Sequence, residues 1–359
     1  MTQEDVTNPF ESTTTIAPEV RALSDRVKEQ FIVSFELSSR HTKEISDLIQ
    51  RLPEHLQAAP QSFLSALTAI SDAACLPNRI SFGLAWENER SRVLLHAIHT
   101  INGKGLLPNE SQEEASDRVI KQAHAAADEE MRTITQSEAR FNRVFRQSIE
   151  ALLFDPFQQS TVQAAKELRY QTAVAIWSSI EVLLKDQLIE IINWKPELAK
   201  RLITDEVAKK RFELPKLTFD ELEERKFNFQ NCMGDLLVRQ RDASDLLTLK
   251  AAVGAIWGKG DLFNILESRE IRLLNLQRHL IVHRRGIVDE KYLSQSGDQA
   301  QKGEPVAIPP SSIVNFYRVA AKVGKIACEA FLALCNPIPG LPIDQNDSPK
   351  KQYNTNISV

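Results

Sequence analysis

Two of the chain's seven histidines fall within one short run, RHLIVHRRGIVDEKYL, Arg278 to Leu293, beside three arginines. These side chains suit phosphate chemistry. A guanidinium offers phosphate a fixed fork of donors. A histidine with a pKa near neutrality can take or give a proton. Together they could cleave RNA through its own 2′-hydroxyl, with arginine stabilising the crowded, negative phosphorane. Arg278 and His283 are five residues apart, about 140° around a helix axis, so both could line the mouth of a cleft near a helix end. His279 and His283 are four apart and share a face. Arg284 and Arg285 fall in the last turn, where the helix dipole favours cations.

Two plainer readings stand beside this one. Cations are common at a helix C-terminus and need no function there. HxxxH is also a metal-ligand spacing, but the chain has no HExxH, and Asp289 and Glu290 lie past the expected helix stop. Arg-x4-His is weak alone, since a chain this rich in arginine should show roughly one Arg-x(4–6)-His by chance. Arg272-x6-His279 is a competing register. His96 and His99, three apart in LLHAIHTI, have no acidic or cysteine neighbour and are expected to be structural or surface residues.

The elements that must hold this cluster are helical. Apolar residues recur at three and four throughout, and alternating strand patterns are almost absent. Glycine is scarce, 12 in 359 residues. Residues 1–16 are Thr-rich and expected to be disordered. From Pro18 the pattern turns helical, with Val20, Leu23, Val27 and Phe31 in period. Stretches at 42–58 (interrupted by Pro53), 62–76 and 79–101 read as separate helices, and 102–112 as a loop. The spacing from Glu113 predicts one long helix to about 153, stopped by Pro156, able to extend a dimer interface or act as a lever. A strongly apolar helix follows at 161–192, then shorter helices over 197–275, the arginine–histidine helix at about 267–284, an extended piece at Pro305–Ile308, and an amphipathic helix at 313–334. Gly286 is placed to stop the arginine–histidine helix. Trp177, Trp257, Phe316, Cys328 and Cys335 read as core positions. The tail, 336–359, is expected to be disordered.

Composition narrows the function classes. The net charge of −4 gives no global basic field, so nucleic-acid binding would have to be local. Cys75, Cys232, Cys328 and Cys335 form no CxxC pair, which argues against a zinc cluster or disulfide scaffold and for a reducing compartment. The polar, acidic start is expected not to be a secretion signal, and no apolar run of membrane-spanning length is present in the sequence. A cytoplasmic protein without membrane association is expected. P-loop, GxGxxG and GxSxG motifs are absent, so no cofactor is expected.

The longer string is more specific than its arginine and histidine alone. RHLIVHRRGIVDEKYL closely resembles the signature of the HEPN superfamily, in particular the bacterial branch labelled RiboL-PSP-HEPN. Members place Arg, a polar residue, three mostly apolar residues and His on a helix. A Gly-Ile-Val-Asp-like exit and an aromatic-Leu pair follow. Here these are Arg278, His279, Leu280 to Val282, His283, then Gly286, Val288, Asp289 and Tyr292-Leu293. Upstream, WSSIEVLLKDQL (177–188) resembles the family's earlier core helix, whose Glu and Lys-Asp pair map onto Glu181, Lys185 and Asp186. The polar residue after the arginine is often Asn or Asp; here it is His279. The resemblance covers about 160–335 and does not reach the first 150 residues.

The resemblance implies an all-α domain and, in catalytic members, a metal-independent endoribonuclease, often a toxin or anti-phage effector. It further implies a homodimer with the cleft at the two-fold interface. That suits a physical need, because in-line cleavage benefits from a base and an acid, and a two-fold axis supplies a second copy of the signature histidine. The expected organisation is a helical region over 17–155 and a HEPN-like bundle over 160–335. Arg278 and His283 are the expected catalytic pair; His279, Glu181, Arg284, Arg285 and Asp186 are supporting. Glu181 either orients Arg278 by an ion pair or faces solvent, and Asp186 with Lys185 reads more simply as a surface pair. RNA is the expected substrate, with an antitoxin or defence protein as a further partner. A catalytically silent binding module and a purely structural assembly protein are the alternatives.

Overall fold

The computed structural model describes residues 39–335, apart from Lys104, Leu106, Arg225, Phe227, Gln230 and residues 154–157, 214–216 and 240–244. The expected helix after Pro18, the stop at Pro156 and the two expected disordered ends lie outside the described residues. The fold is all-α, as the sequence predicts. Among the described residues the only strand-like pairing is an isolated antiparallel bridge between Ile287 and Pro305, in the region where an extended piece is expected.

The helices in order are α1 (Ser39–Ile49), α2 (Ala58–Asn102), α3 (Gln112–Gln136), α4 (Glu138–Leu153), α5 (Gln158–Trp194) and α6 (Leu198–Thr204). They are followed by α7 (Phe219–Glu224), α8 (Leu246–Trp257), α9 (Asp261–Leu266), α10 (Arg269–Arg284), α11 (Glu290–Ser296) and α12 (Pro310–Cys335). Several starts are written in side chains. Ser111 and Glu114 form a reciprocal capping box on α3, and Asp245, Ser268 and Asp289 cap α8, α10 and α11, each satisfying a backbone N–H the helix cannot.

Two expectations are corrected. The stretches at 62–76 and 79–101 are one helix, α2, with Pro77 inside it. A proline removes one helical hydrogen bond and crowds the preceding turn, but Ala74, Cys75, Asn78 and Ser81 around it are all buried, and that packing carries the helix through. The expected helix at 113–153 is instead two. Ser137 takes an extended conformation, φ −107° and ψ 108°, between α3 and α4. Val144 then shares a buried cluster with Met131, Ile134 and Ala85 of α2. On a straight helix residues 131 and 144 would stand about 20 Å apart. A serine favours turns and caps over helix interiors, and folding back buries the apolar positions of both halves.

The contacts divide the chain into two units, interleaved in sequence. Among the described residues the first takes Ser65–Ser179 and Ser268–Ala320; the second takes Arg40–Leu64, Ile180–Glu267 and the chain from Ala321. In the first, Glu89 on α2 is 4% exposed. It accepts from Arg92 Nε and Nη2 at 2.9 and 2.7 Å and from Arg143 Nη2 of α4 at 2.9 Å. The hydrogen bonds from Arg92, then the charge of Arg143, hold its carboxyl below the usual range against its burial.

In the second unit the core gathers Leu188, Ile191 and Ile192 of α5 with Leu202, Ile256 and Phe331. Gly234 lets two backbones touch, since a Cβ there would overlap the Ile189 carbonyl. Glu190 of α5 accepts a backbone N–H from Ala59, at the start of α2, yet burial and then the nearby Asp186 raise its carboxyl to about 7.

These two carboxyls respond oppositely to pH. A lowered folded pKa gives stability that is present above the unfolded value and lost as pH falls through the folded one. Glu89→Ala is therefore expected to lower stability by about 1–3 kcal/mol at pH 7. In urea titrations its gap from wild type closes below about pH 4. A raised folded pKa does the reverse: stability is full below the unfolded value and lost as pH rises. Glu190→Gln is expected to melt with wild type near pH 4.5 and above it at pH 8, since the penalty on Glu190 grows as pH climbs through about 7. A constant melting difference across that range contradicts the assignment.

Candidate functional site

The site is built on α10, in the first unit. Ser268 Oγ caps its start by accepting from Ile271 N at 3.4 Å. Ile271, Leu274, Gln277, Leu280 and Ile281 are buried, a spacing of three and four that fixes the inward face. What remains outward is Arg272, His279, Val282 and His283, exposed, with Arg278 half-buried at the margin. The helix ends with two successive left-handed residues, Arg285 at φ 53° and Gly286 at φ 76°. Their N–H groups both donate to Leu280 O. The stop predicted at Gly286 thus begins one residue earlier, on an arginine. Left-handed backbone costs a residue with a Cβ roughly 1–2 kcal/mol, so the surroundings must impose it.

Those surroundings are specific. A Cβ on Gly286 would stand 2.5 Å from the Tyr170 ring. Tyr170 OH donates to Val306 O at 2.6 Å, and Val306 N donates to Gly286 O at 2.7 Å. Val288 exchanges backbone bonds with Glu304 and Gly303, each 2.9 Å. Asp289 Oδ1 accepts from Tyr292 N at 2.8 Å, which makes it the cap of α11. Tyr292, 2% exposed, accepts from Gln277 Nε2 at 3.3 Å and donates to Asp298 Oδ2 at 2.7 Å. Burial raises its hydroxyl to about 12, so it stays a neutral donor. The run GIVDEKYL is thus a sequence of fasteners: a turn, a bridge, a cap and a buried tyrosine.

On this support the functional groups cluster. The rings of His279 and His283 lie 4.7 Å apart between centroids, inclined at 48°. Partial desolvation, then the charges of His283, Lys291 and Arg278, push the His279 imidazole below its ordinary value, with Asp289 opposing. Arg278 Nε is buried with no hydrogen-bond partner among the described residues. Arg284 and Arg285 are exposed. The assembly offers one half-buried guanidinium, two touching imidazoles and further cations, which is chemistry for an anion with protons to move. Among the described residues no group of three or more His, Cys, Asp or Glu is arranged to hold a metal, so the HxxxH pair has no third ligand of that kind there.

The other sequence candidates lie on α2, α5, α8 and α12. Glu181, Lys185 and Asp186 are half-buried on α5 in the second unit, whereas the arginine–histidine cluster belongs to the first. Asp186 acts on Glu190 by charge. His96 and His99 are exposed on α2. Trp177 and Phe316 are core, at 0% and 2% exposure, and Cys328 is buried. Trp257 and Cys335 are only half-buried. Sequence reasoning missed Tyr170, Gln277 and Lys291. Nothing local marks Tyr170, because Gly286 and Val306, which it meets, lie more than a hundred residues away; Lys291 could have been found as a cation in the first turn of α11.

Compared with family models, with curated proteins and with solved structures, the chain matches none. Among the described residues no helix is long and apolar enough to cross a membrane.

The helix end yields a paired expectation. Gly286→Ala meets both a positive φ and the Tyr170 ring and is expected to lose about 2–4 kcal/mol. Arg285→Gly relieves a strained residue and is expected to gain about 1 kcal/mol. Urea unfolding of the two variants beside wild type measures both; equal stabilities would mean that the turn is not the constraint described.

Proposed function

We propose that this chain is a metal-independent endoribonuclease of the HEPN type, acting in the cytoplasm in stress response, as a toxin, or in phage defence. The observation that carries the proposal is the pair of solvent-facing imidazoles in ring contact beside Arg278, whose buried Nε has no hydrogen-bond partner among the described residues. The resemblance of RHLIVHRRGIVDEKYL to the HEPN signature supports it.

The chemistry is in-line transesterification. A neutral imidazole takes the proton of the RNA 2′-hydroxyl while that oxygen attacks the adjacent phosphorus. The phosphorane's added charge is met by the Arg278 guanidinium, with Arg284 and Arg285 drawing the backbone in by charge. The 5′-oxygen leaves with a proton from an imidazolium. The products are a 2′,3′-cyclic phosphate and a 5′-hydroxyl. A homodimer would bring His283 and Arg278 of two copies into one cleft, so that one His283 serves as base and the other as acid. His279 is the second imidazole within a single protomer, and its lowered pKa favours the neutral form a base requires. An antitoxin or defence-system partner would restrain such an enzyme.

The alternative is a HEPN-like module that binds nucleotide, nucleic acid or a partner protein without cleaving, since a helical scaffold does not fix an activity. The exposure of both imidazoles favours the enzyme.

The deciding experiment is RNA cleavage by purified protein in EDTA, wild type beside His283→Ala and Arg278→Ala. Cyclic-phosphate ends are expected from wild type, with each variant slower by about 10²–10⁴-fold. An unchanged rate in His283→Ala removes the catalytic role. RNA binding without cutting by any of the three proteins supports the silent module.

A further inference from the structure

The second unit contains a cavity of about 790 Å³ that the proposed chemistry does not use. Its size lies within the roughly 300–1,000 Å³ of small-molecule sites. One wall is the C-terminal end of α8 with the GKGD turn into α9, and the other is the last turns of α12. The cavity stays open because its walls are made of small residues. Gly254, Ala255, Gly258, Gly260, Ala330 and Ala333 all line it. Gly258 also turns the chain at φ 75°. The apolar surface comes from Trp257, Leu262, Ile326 and Leu334.

The polar groups decide what would enter. Two backbone carbonyls of the wall are already used: Ile256 O accepts from Arg201 Nη1 at 3.0 Å, and Ala330 O accepts from Trp257 Nε1 at 3.1 Å. The first of these also holds the lining guanidinium against the wall. Two carboxylates remain, Asp261 and Glu329, both lining the cavity and both exposed. Among the described residues neither makes an ion pair within 4.0 Å or a side-chain hydrogen bond, although Glu329 acts by charge on Lys325, which itself pairs with Glu44. The lining carries two carboxylates against one guanidinium, Arg201, so an apolar chamber with an indole and a net negative lining complements an apolar body that carries a positive charge. An indole face attracts such a cation, and a carboxylate pairs with it.

We infer that this cavity is a binding site for an amphipathic organic amine, with its apolar body between α8 and α12 and its ammonium at Asp261 and Glu329. No residue of the arginine–histidine cluster lines the cavity, so the inference stands whether or not the chain cleaves RNA.

The test uses a matched pair of probes, 4-phenylbutylamine and 4-phenylbutyrate, titrated into the full-length protein by calorimetry. The amine is expected to bind saturably and at least ten-fold more tightly than the carboxylate. In Asp261→Asn/Glu329→Gln, both surface changes, amine binding is expected to weaken ten-fold or more and the preference to narrow. Ala330→Leu narrows the cavity and is expected to abolish amine binding while circular dichroism shows the fold retained. Absence of saturable amine binding, equal or tighter binding of 4-phenylbutyrate, or unchanged binding in the double variant overturns the assignment. Should Ala330→Leu fail to fold, Ala333→Leu on the exposed rim repeats the filling test.

Discussion

The close approach of Gly286 to the Tyr170 ring is the constraint on which the arginine–histidine cluster depends. No other residue fits there, because a side chain would collide with the tyrosine while the backbone sits at positive φ. Through Tyr170 OH and Val306 the turn is tied to two segments remote in sequence. The direction of the last turn of α10 is therefore set by tertiary contacts rather than by local preference. Arg285 bears the strain, and the imidazoles one turn earlier inherit a fixed position. A preorganised set of donors needs such support, since a group free to wander loses the orientation that makes it effective.

Electrostatics follows the same economy. The chain is mildly acidic overall, yet Arg278 and Lys291 act by charge on His279, and Arg284 and Arg285 follow His283 directly in sequence. Partial desolvation, then the charges of His283, Lys291 and Arg278, lower the pKa of His279. Elsewhere the buried carboxyls show the two outcomes open to such groups. Glu89 is met by two arginines and stays ionised. Glu190 has one backbone donor and a like-charged neighbour, and is driven toward neutrality. Burial is similar in kind; the partners decide the sign.

The all-α class was legible because apolar residues at three and four bury a stripe only on a helix. The ends of α10 and α5 were readable within a few residues. For the candidate site, the helical repeat put His279 and His283 on one face, while the Arg278-x4-His283 spacing was weak alone and the pair was picked out by the resemblance of the longer string. The exposure of the two imidazoles, and the buried Arg278 Nε without a hydrogen-bond partner among the described residues, were not legible, because they depend on what packs beside α10. The cavity between α8 and α12 was equally hidden, since a void arises from small side chains on segments seventy residues apart.

What the sequence determined by itself was therefore periodic and local: helix content, the ends of α5 and α10 to within a few residues, and the cationic end of α10. What the tertiary structure decided was whether local breakers broke anything. Pro77 did not, because the buried residues flanking it gain more from a continuous helix than one missing hydrogen bond removes. Ser137 did, because turning there folds Val144 onto Met131 and Ile134. Neither outcome follows from propensity, which is worth about 1 kcal/mol or less at a serine and about 3 at a proline, whereas burial of a few apolar side chains is worth more. The larger, non-local term decided each case.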